Sequence, residues 1–313
     1  MGNSMVLKPS EESSLAILRI AELGIEAGLP KGVFNVVTGL GAEAGQALAR
    51  HKDVAKIAFT GSGPVGKLMM QYAAESNMKQ VALELGGKSP QVVLDDVVDI
   101  DKAASTIAWG IFYNAGQTCN AGSRVVVHEK LKDALFERIS AFVKDFRVGD
   151  PLDPNTQMGP LVSLKQRNRV CNYLDLVGQQ GERFIFGGQK PTGNDCLIQP
   201  TLIDGAKHDS KLAQEEIFGP VIVAETFKSD EEALALANGT EYGLAASVWS
   251  GNVSRAHNFA RQLRAGTVWV NTFDMSDVIT PFGGFKSSGS GRDKSLHALD
   301  GYSALKTTWV DLN

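Results

Sequence analysis

The chain has little of what marks a membrane, nucleic-acid or disulfide-stapled protein. Its 313 residues include only three cysteines, Cys119, Cys171 and Cys196. An odd number at wide spacing argues against a disulfide framework and fits a reducing cytoplasm. No two cysteines form a CxxC pair, and the five histidines, His51, His128, His208, His257 and His297, fall at no ligand spacing, so no metal is expected. No apolar run is long enough to span a bilayer, which points away from the membrane. Met1–Lys8 shows no basic stretch leading into an apolar one and is not read as a signal peptide. A net charge of −4 gives no reason to expect nucleic acid or an anionic membrane as partner. There is no internal repeat and no low-complexity tract. What is present, 43% hydrophobic and 21% charged residues, is ordinary for a globular chain long enough for one large domain or two.

Against this plain background one stretch stands out: Phe112-Tyr113-Asn114-Ala115-Gly116-Gln117-Thr118-Cys119-Asn120-Ala121-Gly122-Ser123-Arg124. A helical run ends here and a strand-like run to His128 follows. Cys119 lies between Thr118 and Asn120 on a glycine-flanked loop, not within apolar periodicity. Such a loop brings backbone N–H groups close to the sulfur, where they lower a thiol pKa and hold an oxyanion formed beside it. Taken alone, Cys119 reads better as an inert small hydrophobe, as most lone cysteines are. A second stretch, Val81-Ala82-Leu83-Glu84-Leu85-Gly86-Gly87-Lys88, sets Glu84 between leucines at the end of an apolar run. A carboxylate held there is partly desolvated, its pKa rises, and it becomes a usable base.

In chain order, strand and helix alternate, as in an α/β fold. A short apolar run at Val6-Leu7 leads to a helix over Ser14–Ala27, capped by Ser10 or Ser13. A strand over Phe34–Thr38, a helix over Ala42–Arg50 and a strand over Ala55–Thr60 follow. Gly61-Ser62-Gly63-Pro64-Val65-Gly66 then opens a helix over Val65–Glu75. Strand, glycine turn and helix form an anion-binding geometry. Strands at Val81–Glu84 and Gln91–Leu94 flank the Gly86-Gly87 turn. A helix over Asp99–Tyr113 feeds the cysteine loop, and helices over Lys132–Phe146 and Leu164–Gln180 follow. Val221–Phe227, Glu231–Asn238, Ala245–Trp249, Val253–Leu263 and Thr267–Val270 alternate strand and helix. Leu305–Asp311 reads as a final strand. Glu84 lies roughly 20 residues beyond the glycine turn, where a dinucleotide fold wants its ribose acid. A generic reading therefore makes Glu84 a ribose ligand.

The glutamate and cysteine stretches together resemble the aldehyde dehydrogenase superfamily. Four further segments carry the same resemblance: Phe59-Thr60-Gly61-Ser62, Glu215-Glu216-Ile217-Phe218-Gly219-Pro220, Pro281-Phe282-Gly283-Gly284-Phe285-Lys286 and Ser288-Gly289. The likeness runs from about Lys8 to Thr307. It implies a three-layer α/β fold with a partial Rossmann-like dinucleotide-binding domain over residues 1–86. A catalytic domain over 87–286 and a return segment with an oligomerisation strand over 287–313 complete it. In the family the segment that matches the start of this chain lies well inside the cofactor domain, so the likeness is to the family without its N-terminal part. The oxyanion asparagine belongs to that part.

The resemblance also implies roles. Cys119 is the nucleophile and Glu84 the base that activates water. NAD, in preference to NADP, is the cofactor, with Lys8 and Glu11 at the adenosine ribose. Gly61 and Ser62 face the pyrophosphate, Leu85 and Gly86 line the cofactor, Glu216 holds the nicotinamide ribose and Phe218 packs near the ring. The family usually has threonine where this chain has Gly63. Tyr113 and Phe282 wall the substrate, and Asp277, with Asp274, lies at its mouth as a cation-attracting pair or a solvated loop. The run Gly291 to Leu299 looks closest to bacterial enzymes acting on γ-glutamyl-aminobutyraldehyde and ω-aminoaldehydes. The partners implied are a small-molecule aldehyde and further copies of the chain, as a dimer or tetramer. Two rival readings are a Cys–His hydrolase pairing Cys119 with His128, and a catalytically impaired remnant.

Overall fold

A computed structural model describes residues 2–313, and within it the chain divides into two units. The first takes the chain through Glu84, together with Val278–Phe282 and Gly291–Asn313; the second takes Leu85–Asp277 and Gly283–Ser290.

The first unit is built from strand–helix–strand steps. Strand β1 (Met5–Leu7), helix α1 (Ser14–Glu26) and strand β2 (Phe34–Val36) give a parallel pair in which Met5 meets Phe34 and Leu7 meets Val36. Ser13 holds the N-cap position of α1, but its hydroxyl makes no capping bond. The hydroxyl of Ser10 instead accepts from the Glu12 N–H at 3.3 Å. Helix α1 stops before Gly28, whose φ of 90° no continuing helix allows. After helix α2 (Gln46–Arg50), strand β3 (Lys56–Thr60), helix α3 (Gly63–Ala74) and strand β4 (Gln80–Glu84) repeat the step. Here Thr60 and Glu84 end the parallel pair opposite each other. Pro64 fits the first turn of α3, where its missing N–H costs no bond.

The expected strand over Leu305–Asp311 does not form. This run is irregular, and Leu305, Trp309, Val310 and Leu312 are exposed. Its apolar character is real, but a strand exists only through a ladder of cross-strand bonds. Among the described residues none pairs with it.

The second unit centres on a seven-stranded sheet. Its strands are β5 (Pro90–Val93), β6 (Arg124–His128), β7 (Arg183–Phe186), β8 (Thr201–Asp204), β9 (Val221–Phe227), β10 (Ala245–Trp249) and β11 (Thr267–Val270). They lie in the order β11-β10-β5-β6-β9-β8-β7, parallel throughout except for antiparallel β7 against β8. The period of two in each strand feeds two cores. On one face Val93, Val125 and Val127 pack with Ile107 and Ile111 of helix α4 (Ile100–Phe112), Ile139 of α5 (Lys132–Lys144) and Val170 of α6 (Leu164–Leu174). On the other, Val92, Leu94, Val126 and Val248 pack with Ala233 of helix α8 (Asp230–Asn238) and Phe259 of α9 (Val253–Gln262); the short α7 (Lys211–Gln214) precedes β9. Sheet between two helix layers is the expected three-layer α/β arrangement.

One further expectation needs correction. Helix α6 ends at Leu174, not Gln180: Leu176 and Val177 still pack on the core, but from turns that lead to Gly178 at φ 96°. Strands β7 and β8 went unread because no helix separates them, so they fall outside the strand–helix alternation that marks the others.

Candidate active site

Asp99 starts α4 by accepting the Lys102 N–H at 2.8 Å, and the helix ends at Phe112. The chain then turns through three left-handed residues, Asn114 (φ 51°), Ala115 (φ 54°) and Gly116 (φ 71°). Only glycine fits at 116, since a Cβ there would stand 2.1 Å from the carbonyl oxygen of Gly219. This close approach lays the cysteine segment against Phe218-Gly219-Pro220, about a hundred residues away in the sequence. Cys119 follows, half-buried, in a turn closed by the Ala121 N–H donating to the Thr118 carbonyl at 3.2 Å. Gln91, wholly buried on β5, donates to the carbonyls of Gly122 (3.1 Å) and Ile107 (3.3 Å) and ties the loop to the sheet.

The Gly86-Gly87 turn meets both segments. The Gly87 N–H donates to Glu216 Oε1 at 3.0 Å. A Cβ on Gly87 would stand 2.6 Å from the Cys119 carbonyl oxygen, and one on Gly86 would stand 2.4 Å from Glu216 Oε1. Bulk at either glycine would meet Glu216 or the Cys119 backbone within the chain. The Leu85 N–H donates to the Ser288 carbonyl at 2.9 Å, while the Ser288 hydroxyl donates to the Gly86 carbonyl at 2.7 Å. The Glu216–Phe218 segment is fixed by Arg169 donating to the Glu216 carbonyl at 2.7 Å and Gln166 donating to the Phe218 carbonyl at 2.8 Å. Tyr113 is half-exposed, its ring 6.1 Å from that of Trp109, and Asp277 is exposed.

In the first unit, Lys8 follows β1 and its ammonium donates to Glu11 Oε2 at 3.3 Å and to the Gly39 carbonyl at 3.0 Å. These residues sit where β1 and β2 end, the place at which open parallel sheets bind ligands. Gly61 follows β3, and its N–H donates to the Glu84 carbonyl at 3.0 Å. Ser62 is the N-cap of α3 and makes no side-chain capping bond, so the first-turn N–H groups are not consumed by it. Phe282 exchanges backbone hydrogen bonds with Asp293 at 2.9 and 2.7 Å, and the Lys294 ammonium lies 5.5 Å from its ring centre. Glu84 is buried, and its Oε2 has no hydrogen-bond partner among the described residues. Burial pushes its carboxyl up to about 8, with the Asp293 charge adding and Arg292 opposing.

A model of the aldehyde dehydrogenase family matches residues 1–308. The chain belongs to the aldehyde dehydrogenase family. It is similar to an aminoacetaldehyde dehydrogenase of Pseudomonas aeruginosa, at 49% identity over 311 residues, 99% of this chain and 62% of that one. It is also similar to the NADP/NAD-dependent aldehyde dehydrogenase PuuC of Escherichia coli, at 47% identity over 99% of this chain and 62% of the relative. Among solved structures, an indole-3-acetaldehyde dehydrogenase in complex with NAD+ superposes with a TM-score of 0.96 at 50% identity, covering 99% of this chain and 63% of that one. A γ-glutamyl-γ-aminobutyraldehyde dehydrogenase from Burkholderia cenocepacia gives 0.92 at 53% identity, covering 96% and 61%. The chain thus spans about 62% of the length of the curated relatives it matches.

Three residues of this family member were not singled out from the sequence. Lys88 is wholly buried, its ammonium has no hydrogen-bond partner among the described residues, and burial, then the Arg124 charge, pull its pKa down to about 7. Arg124, also wholly buried, donates to Glu225 at 2.9 Å and to the carbonyls of Leu236 and Ala237 at 2.7 and 2.9 Å. Gln91 is the third. Gln91 and Arg124 are polar residues in otherwise apolar strands, and Lys88 lies between the Gly86-Gly87 turn and β5; such a signal marks a buried network but not its partners. Glu216 is pushed upward by burial, against the Gly87 N–H, Arg169 and Lys88. His128 has other work: its Nδ1 accepts the Lys130 N–H at 3.2 Å and its ring packs edge-on at 5.3 Å against Phe227.

Proposed function

We propose that this protein oxidises an aldehyde to the carboxylate with NAD, using Cys119 as nucleophile and Glu84 as base. The observation that carries the reading is Gly87, whose backbone touches both the Cys119 carbonyl and the Glu216 carboxylate. The Cys119–His128 pairing is disfavoured, because His128 closes β6 four residues beyond Arg124, roughly 13 Å along an extended strand.

The residues present suit a dinucleotide. The β3–Gly61-Ser62–α3 turn offers backbone N–H groups and a helix N-terminus to a pyrophosphate. Lys8 and Glu11 would hold one ribose and Glu216 the other, Phe218 would flank the nicotinamide, and Leu85 with the side-chain-free Gly86 would leave room beside it. NAD, when bound, supplies the electron acceptor for the aldehyde carbon. The rest is the chain's own chemistry. The Cys119 thiolate adds to the carbonyl, and the Cys119 backbone N–H donates to the resulting oxyanion. The oxidised carbon remains on sulfur as a thioester, and Glu84 draws a proton from the water that hydrolyses it. Glu84 as ribose ligand is the alternative; a carboxyl raised to about 8 is tuned for proton transfer near neutrality, which favours the base.

The substrate we propose is an ω-amino- or γ-glutamylamino-aldehyde, supported by the names of the relatives, with Tyr113, Phe282 and Asp277 as its contacts. We assign residues 1–86 to cofactor binding, 87–286 to catalysis and 287–313 to assembly with further copies. The apolar side chains exposed along Leu305–Leu312 support the last assignment. The test is NAD-dependent conversion of propanal or 4-aminobutanal by the wild type and by Cys119→Ala, read as reduced nicotinamide. Equal rates would end the catalytic claim.

A further inference from the structure

The loop that follows β11 is held rigidly on the cysteine segment. Asn271 (φ 55°) exchanges hydrogen bonds with Ser250, its Oδ1 accepting the Ser250 N–H and its Nδ2 donating to the Ser250 carbonyl, each at 2.9 Å. Phe273 is buried, its ring 4.8 Å from that of Trp269 and tight against α4 at Gly110, where a Cβ would stand 2.6 Å away. The Trp269 indole donates to the Met275 carbonyl at 2.8 Å. Between these anchors Asp274 is turned outward in the left-handed region at φ 60°. Its Oδ1 accepts Asn120 Nδ2 at 2.6 Å, and Asn120 is the residue next to Cys119. Asp274 is exposed.

We propose that Asn120 is a positioning residue whose hydrogen bond sets the Asp274 carboxylate beside Cys119, so that the site selects aldehydes bearing a free ammonium three to five carbons from the carbonyl. The inference rests on Cys119 being the nucleophile. Neighbouring Cα atoms are about 3.8 Å apart, so an oxygen bonded to the Asn120 side chain lies within roughly 10 Å of the Cys119 Cα. An ω-aminoaldehyde of that length spans the gap from sulfur to carboxylate. An acylated amine, as on a γ-glutamyl substrate, offers the carboxylate no charge there. Of the two substrate classes left open above, the geometry favours the free amine. The hydrogen bond also confines Asp274 to one rotamer and keeps its charge near the nucleophile, where a loose side chain would spend much of its time in solvent.

The test reads the thiol directly and needs no turnover. Cys119 is modified with a neutral methanethiosulfonate and with its 2-aminoethyl, cationic counterpart. Each forms the mixed disulfide and releases methanesulfinate, and peptide mass spectrometry follows the Cys119 peptide apart from Cys171 and Cys196. A unit charge at about 6 Å in a water-like medium favours the cationic reagent about threefold. The cationic-to-neutral rate ratio at Cys119, in which any change of thiolate fraction cancels, should fall about threefold in Asp274→Asn, and in the same direction in Asn120→Ala. A ratio indifferent to both substitutions overturns the proposal. A Cys119 slower than Cys171 and Cys196 toward the neutral reagent would instead refute the nucleophile on which it rests.

Discussion

Replacing Glu84 by glutamine keeps the side chain's shape and removes its titration. In the wild type the folded carboxyl is raised from 4.5 to about 8. Between those values the folded state holds a proton that the unfolded chain has released, so stability is full below pH 4.5 and declines as pH rises through about 8. At about 1.36 kcal/mol per pKa unit the ceiling of that loss is roughly 5 kcal/mol. Relaxation and water reaching the ionised group bring the expected loss to about 2–4 kcal/mol. Lys88 works in the opposite sense. Its folded pKa is lowered to about 7, so its contribution improves as pH rises from about 7 toward 10.5. The wild-type profile alone therefore mixes two slopes, and the difference between Glu84→Gln and wild type isolates one. In urea denaturation at pH 5 and pH 9, the glutamine variant should gain about 2–4 kcal/mol relative to wild type across the interval. A constant difference would show that Glu84 is not held in its neutral form, and its suitability as a base tuned near neutrality would go with it.

Further outcomes follow from the same structure. Lys88→Met should be more stable than wild type below pH 7, with the advantage shrinking toward pH 10; an advantage that grows with pH would contradict a desolvated ammonium. Gly116→Ala forces a side chain to φ 71° and into the Gly219 carbonyl, and should lower the urea midpoint by the equivalent of about 2–4 kcal/mol. Arg124→Met leaves Glu225 buried without its guanidinium and should cost about 3–5 kcal/mol by the same measurement, while the paired change with Glu225→Leu should recover most of it.

Much of the fold can be read from single stretches. Strands β9, β10 and β11 are bounded sharply enough for their apolar character to define them to the residue. Helix α3 is announced by the glycine turn before it, and α4 by the cysteine loop after it. Strands β7 and β8 escape because no helix separates them: they pair antiparallel with each other, outside the strand–helix alternation that marks the rest, and only β8 pairs with β9. The run Leu305–Asp311 errs the other way: it has strand composition but no partner ladder among the described residues.

The chemistry divides along the same line. Residue type and local context singled out Cys119, on a loop of small polar residues, and Glu84, flanked by leucines; the two stretches together, and their likeness to the family, gave them roles. Both judgements concern a residue's immediate surroundings, which a few neighbours in the chain define. That Gly87 faces both Cys119 and Glu216, that Gly116 must be glycine because Gly219 lies against it, and that Asn120 holds Asp274 were decided only by tertiary packing. Such contacts depend on the spacing of strands in a sheet and on the exclusion of a single Cβ, and no periodicity in the chain encodes them.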